Sequence, residues 1–212
     1  MKSYRVRVAA ALAAAAVALT ACGPVQAGSA AIVGKERITS SDLDSQIRAF
    51  RKDLAAYKIP EDKLQLALPL PQMMLFNMAN SRQLIELGRM KGVTVTQREI
   101  DDTQQAILKS QSSPLSIEQI LLSNAIPLSE RENAIRAIVI RQKLAEQAGG
   151  GADEQSQQAA AQKVTQEADS AVPVRFSPRY GKFDPQQGFV ADDRFGAVGA
   201  AQPAAQAAPP QS

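Results

Sequence analysis

Met73-Met74-Leu75-Phe76-Asn77-Met78 places five apolar residues in six consecutive positions. At about 100° per residue they occupy the whole circumference of a helix, so this stretch has no face to offer to water. A chain that contains it must wrap other elements around it. Pro69-Leu70-Pro71 opens the segment and Gly92 suits its C-terminal cap, which predicts a long helix over about Gln72–Lys91. Further along, Leu84, Ile85 and Leu87 restore a single apolar stripe. The same helix carries all the internal methionines, Met73, Met74, Met78 and Met90. Methionine is flexible and polarizable, and it is over-used on surfaces that accept many partners. Two readings stay open: a binding face built from Met73, Met74, Phe76 and Met78, or a central helix buried by its neighbours.

The neighbours are also helices. Thr39-Ser40-Ser41-Asp42 reads as a helix start, a short variant of the capping box with Asp in place of Glu. Leu43, Ile47, Phe50, Leu54 and Tyr57 follow at alternating spacings of about four and three, one stripe that should stop before Pro60. Thr96-Gln97-Arg98-Glu99 is a full capping box ahead of Ile100, Ile107 and Leu108, and Pro114 breaks that helix. Ser116 caps a short helix with Ile117, Ile120 and Leu121. Ser129-Glu130-Arg131-Glu132 reads as another capping box, ahead of Ile135, Ile138, Val139, Gln142 and Ala145, and Gly149-Gly150-Gly151 ends it.

Strand signals are few. Ser29-Ala30-Ala31-Ile32-Val33 reads as a short strand with a turn at Gly34-Lys35. Val172-Pro173-Val174-Arg175-Phe176 alternates as a strand does. Two such pieces are too few for a sheet alone, so Ala31–Ile38 and Val174–Phe183 are expected to lie together on the helical body. Residues 149–171, rich in Ala and Gln, are expected to form a polar linker or a weak helix that buries little. Tyr180 and Phe183 are expected to dock on the body within 172–190; Phe189 and Phe195 have no assignment. Residues 191–212 are Ala, Pro, Gln and Gly with almost no large apolar side chain, the composition of a disordered tail.

The amino terminus has its own logic. Lys2, Arg5 and Arg7 precede twelve unbroken apolar residues, Val8 to Leu19. A helix of that length spans roughly 18 Å, too short for a hydrocarbon core of about 30 Å. The order is that of a secretory signal peptide over residues 1–21. Leu19-Thr20-Ala21-Cys22 resembles the lipobox of bacterial lipoproteins. That resemblance implies a diacylglycerol on the Cys22 thiol, cleavage just before it, and acylation of the new amino terminus. Two acyl chains anchor a protein stably where one does not. Residues 22–28 would then be a tether; its last six residues span at most about 20 Å.

Composition limits the chemistry. The first 21 residues hold three of the 24 basic side chains and none of the 21 acids, so the remainder balances at 21 and 21. No net field recruits nucleic acid. The chain has no histidine and one cysteine. The commonest general base and metal ligand is therefore missing, and Ser-His, Cys-His and Cys/His zinc sites are excluded. No carboxylate, lysine or tyrosine pair stands at a diagnostic spacing; Asp101-Asp102 and Asp192-Asp193 read as solvated charges. No catalytic residue, metal or cofactor is expected.

Ala30-Ala31-Ile32-Val33-Gly34-Lys35-Glu36-Arg37-Ile38-Thr39-Ser40-Ser41-Asp42-Leu43-Asp44 resembles the opening of SurA-type and PrsA-type extracytoplasmic foldases. Leu84-Ile85-Glu86-Leu87 with Met90 to Asp101 resembles that family's second helix, glycine turn and third helix. Ser129–Ala148 resembles its last helix before the catalytic part, and Ser177-Pro178-Arg179-Tyr180-Gly181 resembles its return to the helical body. The likeness covers roughly 30–148 and 172–183. It implies a mostly α fold, a compact helical SurA N-terminal-like domain over 29–148 with a small two-strand element. It also implies a chaperone that holds unfolded or secreted proteins. The family often inserts a parvulin prolyl isomerase after the last helix, which needs on the order of 100 residues. Only about twenty polar residues lie between Gly149 and Val172 here. The expectation is thus an ATP-independent holdase without isomerase activity, lipid-anchored on the extracytoplasmic face of the cell membrane. The alternative is a lipoprotein adaptor for one dedicated envelope partner.

Overall fold

The fold was analysed in a computed structural model that describes residues 28–112, 114–184 and 188–190. The signal segment, Cys22, the tether up to residue 27, Phe195 and the tail 191–212 lie outside the described residues.

The chain opens with a hairpin, β1 (Ser29–Val33) and β2 (Glu36–Thr39). Gly34, at φ 56°, is the first residue of the two-residue turn, where a primed hairpin turn favours glycine. Helix α1 (Ser40–Ala56) follows directly. Thr39 Oγ1 accepts from Asp42 N–H at 3.0 Å, and Asp42 Oδ2 accepts from Thr39 N–H at 3.2 Å, so the short aspartate completes both halves of the box. Leu43, Ile47, Phe50 and Leu54 are buried. Tyr57 lies past the last turn as the C-cap and leaves the stripe for solvent.

Helix α2 (Leu70–Met90) is the axis of the domain and starts two residues earlier than the sequence predicts, with Pro71 in its first turn. Helix α3 (Gln97–Lys109) and the short α4 (Ile117–Ser123) both carry complete capping boxes, at Thr96/Glu99 and Ser116/Gln119. Leu108, expected on the buried stripe of α3, is exposed; Ile100 supplies the burial.

The capping box expected at Ser129 is not formed. Leu128–Glu130 instead make a 3-10 turn, Glu130 stands at the N-cap of α5 (Arg131–Gln147) with its carboxylate accepting from Asn133 Nδ2 at 2.9 Å and making no capping bond to the helix backbone, and Ser129 Oγ donates to Gln46 Oε1 at 2.6 Å. Pro127 sets this outcome, since it is buried and fixes the turn ahead of the helix. The buried face of α5 is Ala134, Ile135, Ala137, Val139, Ile140 and Leu144; of the expected series Ile135 and Val139 are buried, whereas Ile138 and Gln142 face solvent. Ile138 is 37% exposed.

Helices α2 and α5 form the most extensive packing of the domain. A Cβ on Gly88 would meet Ile140 Cγ2 at 2.7 Å, so the missing side chain is what lets α5 approach α2 this closely.

Residues 149–171, expected as a polar linker or a weak helix, contain helix α6 (Glu154–Ala171). Of linker and weak helix the chain takes the helix, and it docks on α5 and α2. Ala160, Val164 and Ala168 recur every four residues and are buried. Small side chains bury little area each but let the helix backbone come close.

After α6 the chain returns as β3 (Val174–Phe176). It pairs antiparallel with β1, Ala31 opposite Phe176, Ile32 opposite Arg175 and Val33 opposite Val174. The two segments expected to meet do meet, and β2 extends them to a three-stranded sheet in the order β2-β1-β3. The strand content therefore exceeds the expected two-strand element. A 3-10 turn at Pro178–Tyr180 leads to a second ribbon, β4 (Lys182–Asp184) with β5 (Gly188–Val190).

One large apolar core links the sheet, α1, α2, α5 and α6. A smaller one, Ile100, Ile117, Leu121 and Ile135, joins α3, α4 and α5.

Candidate functional site

The four side chains singled out on α2 divide between two environments. Met74 is 0% and Met78 3% exposed, so both are core. Met73 and Phe76 are half-buried and packed against that core. At 3.6 residues per turn, positions 74 and 78 share one face and Phe76 stands on another, so the quartet does not form one open surface.

Phe76 instead belongs to a ring cluster that the sequence spreads over 114 positions. Its ring stacks on Phe183 at 5.7 Å between centroids. Phe183 lies 5.0 Å from Phe176 and 5.4 Å from Phe189, and Phe176 meets Phe189 edge-on at 4.8 Å. These are the offset and edge-to-face arrangements that the ring quadrupole favours. Phe189, which the sequence left unassigned, is 9% exposed and closes the cluster. Docking of Tyr180 and Phe183 on the body is observed: Gln72 Nε2 on α2 donates to Tyr180 O at 2.7 Å, and both side chains pack against the main core.

The cluster forms one wall of a groove of about 170 Å³. Helix α2 contributes Phe76, Ala79, Asn80 and Gln83; α6 contributes Thr165 and Asp169; the strands contribute Val174, Phe176 and Phe183. Gln83 is the buried polar hinge of this arrangement. Its Nε2 donates to Val172 O at 3.0 Å and to Asp169 Oδ1 at 3.1 Å, which fixes the end of α6 over α2. Among the described residues, Asp169 is the one charged side chain in the lining. Asn80 Oδ1 accepts from Arg141 Nη2 of α5 at 3.2 Å; Arg141 itself is not among the lining residues.

Other large apolar side chains that reach water, Tyr57, Met90, Leu108, Leu115 and Ile138, sit on different elements. Single exposed residues of this kind are ordinary. Among the described residues, no group of three or more potential metal ligands comes together, and no helix is long and apolar enough to cross a membrane.

The Thr165–Asp169 wall was not anticipated from sequence. The signal that locates it is the Ala160-Val164-Ala168 stripe, which orients α6 and so places the adjacent Thr165 and Asp169 beside α2. Comparison with protein-family models, with curated proteins and with solved structures finds no match to this chain.

Proposed function

We propose that this protein is a lipid-anchored, extracytoplasmic holdase that shields unfolded or secreted polypeptides through apolar contact, without ATP and without prolyl isomerase activity. The observation that supports it best is the half-buried ring wall of Phe76, Phe176 and Phe183 along an open groove. Rings left part-exposed against a rigid helix offer large contact area at low entropic cost. The rest of the reading follows from Leu19-Thr20-Ala21-Cys22, with the lipid on Cys22, and from the likeness of 30–148 to SurA-type and PrsA-type chaperones.

The test is aggregation of three unrelated unfolding clients in the presence of the chain from Gly23 to Ser212, which retains every described element. Suppression is expected for all three. Thr165→Trp fills the groove from the exposed side of α6 without touching the core, and it should remove the effect while circular dichroism stays unchanged. If no client is protected, the holdase reading fails and a single dedicated envelope partner takes its place. The anchor is tested in cells: labelled palmitate should enter the parent and the membrane fraction should contain it, and Cys22→Ser should lose both.

A further inference from the structure

The strand that borders the groove has an unused edge. β3 is the outer member of the sheet β2-β1-β3. Ser177 N–H donates to Ala30 O at 2.8 Å and Gly34 N–H donates to Pro173 O at 2.9 Å. In an antiparallel ladder, residues alternate between bonding the partner strand and facing away. With Ile32 opposite Arg175, the backbone groups of Arg175 therefore turn to β1, and those of Val174 and Phe176 turn outward. Among the described residues no hydrogen bond reaches these outward groups. Val174 and Phe176 are also the two β3 residues whose side chains line the groove. A free strand edge and an apolar slot thus belong to the same two residues.

An exposed edge is a template for one more strand. Recognition by strand addition draws affinity from main-chain hydrogen bonds and specificity from pockets for alternate side chains. The groove has room for one large side chain, and among the described residues its only charged lining group is the acid Asp169. We propose that the outer edge of β3 takes one extended polypeptide segment as a fourth strand, with an apolar side chain in the Phe76–Phe176–Phe183 groove and a basic side chain at Asp169. This deepens the holdase reading and rests on it for the source of the segment.

The probe is a labelled octapeptide in which Val, Phe and Lys alternate with Thr, titrated by fluorescence anisotropy against the chain from Gly23 to Ser212. Two N-methylated versions carry the methyl groups in alternate frames. The frame whose N–H groups face β3 should bind at least about fivefold more weakly, as expected for one lost hydrogen bond, and the other frame should bind as the parent does. Asp169→Asn should weaken binding about two- to fivefold, an effect that salt erases. Thr165→Trp should abolish it. Equal loss in both frames, or none in either, overturns strand addition. Binding that appears only after residues 191–212 are removed gives the groove to the chain's own C-terminal segment and overturns the proposal. So does a dimer that Thr165→Trp dissolves, which gives the groove to a second copy. If clients are protected but the peptide does not bind, the holdase stands and this site falls. If the frames differ but no client is protected, the site stands and the holdase falls.

Discussion

The α3–α4 corner and the β3–β5 end of the molecule are both small, and they are held in opposite ways. At the corner, four buried aliphatic residues are fenced by polar bonds. Glu99 closes the Thr96 capping box and pairs with Lys143 Nζ at 2.5 Å, while Lys143 also donates to Thr94 O at 2.8 Å. Arg131 pairs with Glu118 at 2.6 Å and also donates to Gln104. At the other end, beyond the β1–β3 and β4–β5 ladders, the side chains fasten ring on ring, with Gln72 and Gln83 as the side-chain bonds that tie it to α2. A hydrogen bond has one good geometry, so the corner has one arrangement. Ring contacts are individually weak and tolerant of small displacement. An end built from them can admit another apolar group without leaving a polar atom orphaned.

The sharpest way to break this contrast is to remove packing where polar bonds are supposed to suffice. Ile135→Ala takes the only α5 residue from the small cluster. It should cost about 2–5 kcal/mol in chemical denaturation, because the three remaining buried residues, Ile100, Ile117 and Leu121, cannot collapse around the cavity. A cost below about 1 kcal/mol would mean the polar fence alone holds the corner. The ring end is sharpened by a double-mutant cycle on Phe176 and Phe183, each changed to Leu. A coupling of about 0.5–1.5 kcal/mol is expected, and amide exchange should rise in β4 and β5 but not in α3 and α4. Zero coupling would reduce the cluster to independent burial.

The smallest effect is one of pH. Lys143, and then the Thr96 backbone and hydroxyl, hold the Glu99 carboxyl at about 2, below its ordinary 4.5. Its folded state is thus the weaker proton binder, so its contribution is complete above pH 4.5 and is lost as the pH falls toward 2. Glu99→Gln should flatten that part of the stability–pH curve, and the loss should register in α3 exchange before it reaches β4.

Local chemistry made the helices legible. Thr39, Thr96 and Ser116 each mark a helix start to the residue, because a side-chain cap is a contact between positions three apart. Ser129 carries the same pattern and fails, because Pro127 and the contact with Gln46 on α1 decide that turn from outside the local sequence. The α6 docking was illegible for a related reason. Alanine contributes little to an apolar count, and what makes Ala160 and Ala168 matter is the closeness of a partner that the sequence does not show. The ring cluster joins Phe76 to three residues beyond position 175, and no periodicity links residues so far apart. The candidate groove was therefore half legible: its Phe76 and Phe183 were in view, its Thr165–Asp169 wall was not.

The central place of β1 carries a mechanical consequence. A pull on the chain ahead of Gly28 enters the domain at Ser29, on a strand bonded on both flanks, to β2 and to β3. The load is shared between two ladders, and neither peels freely while the other holds. Among the described residues, the β1–β3 ladder is also the strand pairing that joins β1 to the carboxy-terminal strands. Tension at the amino terminus therefore reaches β2 and β3 together, and through β3 it reaches the strand edge that borders the groove.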